Sequence, residues 1–506
     1  MLRDVGQILS ERARLSSDLE AIVDLARGRR FDYQTFENRA NALAHILQER
    51  GVKKGDRVAI LMSNSHVYME AYFAIAKIGA IAVLLNWRLT PSELEYIVED
   101  CSASALIYSQ DLESLAEALK PLAHSIKLWI PENEALEKDI QKAPTHIPDV
   151  DISGDDPVFI MYTSGTTGKP KGAVMTHGAS VAWHFSALAT ADNKYRDRSY
   201  TVAPLFHIGG IGVVTAGIHR GMTNVIDQLF DPGRVWRMIA QEKINGTFLV
   251  PAMLNFMLKH EEAWVHDHSH LRGIMCGAAP VPVSLIEAFS ERGVDIHQVY
   301  GATETHGGIC LMSPEKAVEK AGSTGRPYYG LEVRVVDEEG RDVPPGVPGE
   351  VITRGPHVLR EYWNKPEETA KSFKNGWFYL GDVAEVDEDG FIYIKDRSKD
   401  MVISGGENIY PAEIENVILS NPGVAEVAVI GQPSEKWGES VCAVVVAKPG
   451  VDQNQLIEEL QALSAEKLAS YKRPKAFEFI NEIPRNPSGK ALKRLLRERF
   501  PGPAPE

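Results

Sequence analysis

Over roughly the first 300 residues, short apolar runs alternate with longer stretches whose apolar positions recur at helical spacing. "DRVAILMSN" (56–64), a helical run from His66 to Gly79 and "AIAVLLN" (80–86) follow one another as strand, helix and strand. The rhythm returns in "SELEYIVEDCSASALIYSQ", "VWRMIAQEKINGTFLVPAML" and "SLIEAFSERGVDIHQVYG". Apolar strands separated by helices are what a parallel sheet covered on both faces requires. This part therefore predicts doubly wound α/β architecture, as two related subdomains. From about Gly325 the pattern shortens to alternating strands and tight turns, "LEVRVVDEEGRDVPPGVPGEVITRG" and "GWFYLGDVAEVDEDGFIYIKD", which predict a small antiparallel, barrel-like unit. After the polar break "DRSKD" (396–400) come "SGGENIYP", a helix from Pro411, strands "VAEVAVIGQ" and "SVCAVVVAK", a helix from Asp452 and the basic tail "PRNPSGKALKRLLRERF". Those elements suffice for a separate small α+β domain.

A chain of 506 residues is longer than one hydrophobic core sustains, in keeping with that division. Lys and Arg total 54 against 69 Asp and Glu, a formal charge of −15, which disfavours nucleic-acid partners and anionic membranes. Any phosphate site must then be built locally. The four cysteines are far apart and form no C-x-x-C pair, so neither zinc nor a disulfide framework is indicated, and a reducing cytoplasm is the expected compartment. The N-terminus lacks the apolar core of a signal peptide. The most apolar stretch, "VYMEAYFAIAKIGAIAVLLNW", is interrupted by Glu70 and Lys77 and reads as a buried helix and strand, not a membrane span. No strong basic amphipathic helix is present, leaving at most weak peripheral membrane contact. Oligomeric state stays open, a homodimer among the options.

"MYTSGTTGKPKG" (161–172) concentrates glycines, hydroxyls and two lysines behind the apolar strand "PVFIMY". A nucleotide P-loop would need Ser or Thr after Gly168-Lys169. Pro170 stands there instead, removing the magnesium hydroxyl and blocking the helix start. The spacing of Gly165 and Gly168 does not fit the dinucleotide fingerprint either. What remains is a donor-rich loop able to form an anion nest for a polyphosphate, against the plain alternative of a surface turn.

Four later stretches accompany the loop: "YGATET" (300–305), "YLGD" (379–382), "KDRSKDMVISGGENIYPAEIE" (395–415) and "PRNPSGK" (484–490). Together and in this order they resemble the motifs of the acyl-adenylate-forming superfamily of AMP-binding enzymes, over roughly residues 20 to 495. The wording is most similar to compact bacterial fatty-acyl-CoA ligases. The resemblance implies an N-terminal AMP-binding domain over 1–396, a hinge at 397–399 and a mobile C-terminal domain over 400–506. It also implies attack of a carboxylate on the α-phosphorus of ATP, loss of pyrophosphate, and displacement of AMP by the thiol of CoA. A medium- to long-chain fatty acid is the expected substrate. Aryl, cyclic or short-chain acids, or loading of a carrier protein, are the alternatives.

Such chemistry calls for cations, a metal ligand and nucleotide clamps, with no side-chain nucleophile. The resemblance assigns ATP binding to Thr163, Ser164, Gly165, Thr166, Thr167, Gly168 and Lys171, with Lys171 the phosphate cation. It places adenine between Tyr300 and the small residues Gly277, Ala278 and Ala279, with Gly301 in the same motif. Thr303 becomes an α-phosphate donor and Glu304 the ligand of Mg²⁺, although a carboxylate there would otherwise pass for an N-cap. Asp382 and Arg397 take the ribose; singly, each would pass for a surface charge. Lys490 becomes the catalytic lysine of adenylation, Lys399 the hinge, and Gly405 and Gly406 the lining of the CoA tunnel. His207 matches a gate between the carboxylate and pantetheine sites. Gly209, Gly210 and Gly212, with Gly307 and Gly308, are expected to leave room for an aliphatic tail.

Overall fold

A computed structural model describes residues 3–163, 170–279, 281–397, 400–404, 407–434, 438–468, 470, 472–485 and 491–502. The predicted calls on Ser164, Gly165, Thr166, Thr167, Gly168, Lys399, Gly405, Gly406 and Lys490 lie outside the described residues.

The N-terminal residues form two sheets of the predicted doubly wound kind. In the seven-stranded sheet the order is Glu361–Tyr362, Lys171–Thr176, Pro157–Thr163, Ile81–Leu84, Arg57–Leu61, Ala105–Tyr108 and Leu128–Pro131. Its last five strands pair in parallel, and the first two join antiparallel at one edge. The nine-stranded sheet carries Gly273–Gly277 beside Asp295–Ala302 in parallel register, with Gly307–Leu311 antiparallel to the latter. Ligands of such sheets gather at the carboxyl ends of the strands, and there Gly277, Ala302 and Thr163 all stand.

The apolar stretch flagged above is the helix His66–Lys77, capped by Ser65, whose hydroxyl accepts from the Tyr68 N–H at 3.1 Å, followed by the strand Ile81–Leu84. Every residue of the helix is buried, including the two charges. Arg39 grips Glu70 with two N–H groups at 2.5 and 3.2 Å, and the Lys77 ammonium donates to Glu37 at 2.8 Å. The helix buries its ions by pairing them, the only low-cost route in an apolar layer. Among the described residues no helix is long and apolar enough to cross a membrane.

Contacts divide the chain into two compact units. One takes Met1–Ala321, Gly325–Val333 and Thr353–Phe378; the other takes Gly322–Thr324, Arg334–Ile352 and Tyr379–Glu506. In the second, residues 382–386 pair antiparallel with Ile392–Arg397, as the short alternating pattern predicts. Further along, Gly438–Ala447 is the hub of an α+β layer, antiparallel to Val424–Ser434 and parallel to Ala476–Phe479. The helices start where their sequence signals stand. Pro411 occupies the first turn of one, and Asp452 caps the other by accepting from the Asn454 and Gln455 N–H groups at 2.8 and 3.1 Å. Ile414, Ile418, Val429, Val441, Leu456 and Leu460 close a core between helices and sheet.

Candidate active site

Thr163 ends its strand just before the anion-nest loop, and Lys171 opens the next strand just after it. The two strands are antiparallel neighbours with Thr163 opposite Lys171, so the residues on either side of the loop are held next to each other. Thr163 Oγ1 donates to Glu304 Oε1 at 3.3 Å, which brings the loop's first anchor to the expected metal ligand across 141 residues of chain.

Glu304 sits in a single 3₁₀ turn, Thr303–Thr305, at the end of the strand that carries Tyr300. Buried Thr305 fixes the turn, accepting from the Ala302 N–H at 2.9 Å and donating to the Gly307 carbonyl at 2.8 Å. His306 then takes φ = 62° and returns its N–H to the Thr303 carbonyl at 3.0 Å. Gly301 has a steric reason to be glycine: a Cβ there would lie 1.9 Å from the Gly307 carbonyl oxygen. Gly277 is held alike, since its Cβ would meet the Val299 carbonyl oxygen at 2.4 Å, and Ala278 follows at φ = 66°. The segments predicted to flank adenine therefore stand on adjacent parallel strands, Gly277 opposite Val299.

Tyr362 and Glu368 carry no motif signal, yet they contact the expected nucleotide residues directly. The Tyr362 hydroxyl donates to Glu304 Oε1 at 3.0 Å, the same oxygen that Thr163 reaches. Burial and that carboxylate push the phenol far above its ordinary value, so it remains a donor. The Lys171 ammonium lies 5.4 Å from the centre of the Tyr362 ring and is ion-paired with Glu368. The partners are 58 and 197 residues from Glu304 and Lys171 respectively, a separation at which local pattern is silent. Spacing in "EYWNKPEE" offers no signal; only the fold makes them neighbours.

The donor set fits magnesium. Glu304 Oε1 takes both hydroxyl bonds, and among the described residues Oε2 accepts none and no group of three acidic, His or Cys side chains surrounds it. One carboxylate completed by phosphate oxygens and water is the usual way this ion is held.

His207 precedes the helix Ile208–Arg220 and does not cap it with its side chain. Burial, with the nearby Arg88 charge, drops its imidazole to about 4, so it is neutral at pH 7. Its buried Nε2 has no hydrogen-bond partner among the described residues, leaving a polar atom for a ligand to meet. The expected acyl-pocket glycines lie against filled space. Cβ atoms at Gly209, Gly210 and Gly308 would meet Phe248 at 2.7 Å, the Pro204 carbonyl oxygen at 2.2 Å and the Tyr328 hydroxyl at 2.4 Å. Trp183 stands against both Gly212 and Gly307, at 3.6 and 3.1 Å from their would-be Cβ atoms, and its indole N–H donates to the Gly308 carbonyl at 2.7 Å. Sequence reasoning missed Trp183, which lies in the helix His177–Thr190, outside every motif.

In the second unit, strand register sets Asp382 opposite Arg397, bringing together the two expected ribose residues. Asp382 is 8 % exposed.

An AMP-binding enzyme model matches residues 9–363, and an AMP-binding enzyme C-terminal domain model matches 413–490. The chain belongs to the AMP-binding enzyme family. It is 41 % identical over 509 aligned positions, covering 100 % of both chains, to the long-chain-fatty-acid–CoA ligase FadD13 of Mycobacterium tuberculosis (strain ATCC 25618 / H37Rv). It is 40 % identical to a feruloyl-CoA synthase of an Amycolatopsis species, covering 97 % of each. Among solved structures, the o-succinylbenzoate coenzyme A synthetase of Bacillus subtilis, in complex with ATP and magnesium ion, superposes with a TM-score of 0.86 at 32 % identity, covering 97 % of this chain and 99 % of that one.

Proposed function

We propose that this protein activates a medium- to long-chain fatty acid with ATP and transfers it to CoA through an acyl-adenylate. It is an AMP-forming acid–thiol ligase. The observation that carries the site assignment is the joining of Glu304, Thr163, Tyr362 and Lys171 in one cluster at the carboxyl ends of the strands. The cluster offers a cation, a carboxylate and hydroxyl donors, the set that binding and polarising a polyphosphate requires.

In the first step a substrate carboxylate oxygen attacks the α-phosphorus and pyrophosphate leaves. Lys171 and the loop it closes hold the departing phosphates, and Thr303 donates to the α-phosphate. Asp382 and Arg397 orient the ribose, and Lys490 neutralises the charge that develops between acid and phosphorus. Mg²⁺, held through Glu304, supplies charge neutralisation on the phosphate oxygens when bound. In the second step the CoA thiol attacks the acyl carbonyl and AMP leaves. Neutral His207 sits between the two reactants' entrances, and Gly405 and Gly406 line the thiol's approach. The proposed domain alternation runs about the hinge 397–399, with 400–506 as the moving part and a cytoplasmic setting for the whole. Trp183, Phe248 and Tyr328, which fill space against the acyl-side glycines, favour a second reading, an aryl, cyclic or short-chain acid.

A pyrophosphate-release assay across fatty, aryl and short-chain acids, with and without CoA, tests both. Fastest turnover on a fatty acid, with thioester formed only when CoA is present, is expected. Preference for an aryl acid, or acyl transfer to a carrier protein but not to CoA, would replace the proposal.

A further inference from the structure

Lys171 has a counter-ion within the protein itself. Its ammonium is ion-paired with Glu368 and lies over the Tyr362 ring, with the two charged side chains 16 % and 31 % exposed. Glu368 belongs to the short helix Pro366–Ser372. The chain leading into that helix is tied to the site at several points: Leu359 N–H donates to the Glu304 carbonyl at 2.7 Å, Tyr362 binds the Glu304 side chain, and Trp363 N–H donates to the Gly172 carbonyl at 2.7 Å. Glu368 is thus placed by a braced segment rather than by the chance of a long surface side chain. It has a second cation within reach, Lys371 at 3.6 Å and 69 % exposed, so its charge stays compensated if Lys171 turns away.

We infer that Glu368 is a positioning residue that competes with phosphate for Lys171 and yields the lysine when ATP binds. This rests on the reading of Lys171 as the phosphate cation. A carboxylate competing for the same ammonium lowers affinity for every polyphosphate, the product included. Pyrophosphate then leaves a site that a bare lysine would hold more tightly. Lys171 holds the Glu368 carboxyl below its ordinary range, so the competitor is anionic throughout the neutral range.

The test uses the full-length enzyme, magnesium pyrophosphate as probe, and Glu368→Gln. Pyrophosphate should bind about threefold more tightly, the worth of a partly exposed ion pair. KM for ATP should fall by a like factor while KM for the acid stays unchanged, and Glu368→Asp should restore wild-type binding. A purely structural ion pair predicts the opposite sign, because freeing the lysine would loosen it and weaken binding. Wild-type or weaker pyrophosphate binding in Glu368→Gln overturns the inference. Lys171→Met separates the two layers. If it weakens pyrophosphate binding and cancels the effect of Glu368→Gln, both hold; if it leaves binding unchanged, the reading of Lys171 itself falls.

Discussion

Trp183 is a packing residue that the proposed function also places beside the acyl chain. It is 6 % exposed, anchored through its N–H, and touches the two glycine segments that frame the proposed acyl region. Trp183→Ala should remove a wall and cost about 3–5 kcal/mol of stability in the unit that holds it. Trp183→Phe keeps most of the volume and should shift the ratio of kcat/KM between long-chain and aryl acids with a smaller loss, read from acid-competition assays alongside thermal melts. At Lys490 the expectation is sharper. Lys490→Ala should lose pyrophosphate release by several orders of magnitude while thioester formation from supplied acyl-adenylate survives, because charge neutralisation at phosphorus matters only in the first step. Equal loss of both half-reactions would remove that role. Lys490 is proposed from its motif alone. Trp183, Tyr362 and Glu368 were not legible in the sequence, since each acts through partners brought near only by the folded sheets.

At the scale of elements, the helices and strands were legible where one physical signal dominated. Burial on all sides made His66–Lys77 look like a membrane span until its two charges were counted, and each charge proved to have a buried partner. Asp452 and Pro411 marked their helix starts because caps and first-turn prolines act locally. Glycines were harder, because a missing side chain permits either open space or close approach. The run after His207 reads as room for a ligand, whereas Gly210 is pressed onto the backbone of Pro204. Gly210→Ala should therefore disturb the turn that presents His207, costing roughly 1–3 kcal/mol by overpacking. The same change at Gly212, whose Cβ would make ordinary 3.6 Å contact with Trp183, should be nearly silent in stability. Denaturant midpoints of the two variants decide the matter, and equal losses would show that the turn yields.

For the whole molecule, the acid side of the stability curve follows from buried imidazoles in the first unit. His177, His184, His306 and His357 are at most 2 % exposed. Burial lowers three of them to about 4, 3 and 4 (His177, His306 and His357), and His184 well below its ordinary value. An unfolded histidine near 6.5 binds a proton that its folded counterpart refuses, so stability is fully present above about pH 6.5 and falls as the pH drops toward 4. Each such group adds a slope on the order of 1 kcal/mol per pH unit in that window. Carboxylates act lower. Glu137, held near 2 by Arg39, loses its contribution only below its ordinary range, and the raised carboxyls of Asp4 and Glu132 oppose the trend. The interval from pH 6.5 to 5 is therefore a histidine window. Urea midpoints measured across it should decline steeply, and His177→Gln should flatten the decline while leaving one of equal sign from the other depressed imidazoles, His207 and His219 included. A midpoint constant down to pH 5 would mean that the imidazoles find solvent or partners on protonation. Because His306 directly follows the Glu304 turn and packs against Trp183 and His184 of the helix His177–Thr190, activity should fade in step with folded fraction over that interval rather than through titration of neutral His207, whose proton is taken up only near pH 4.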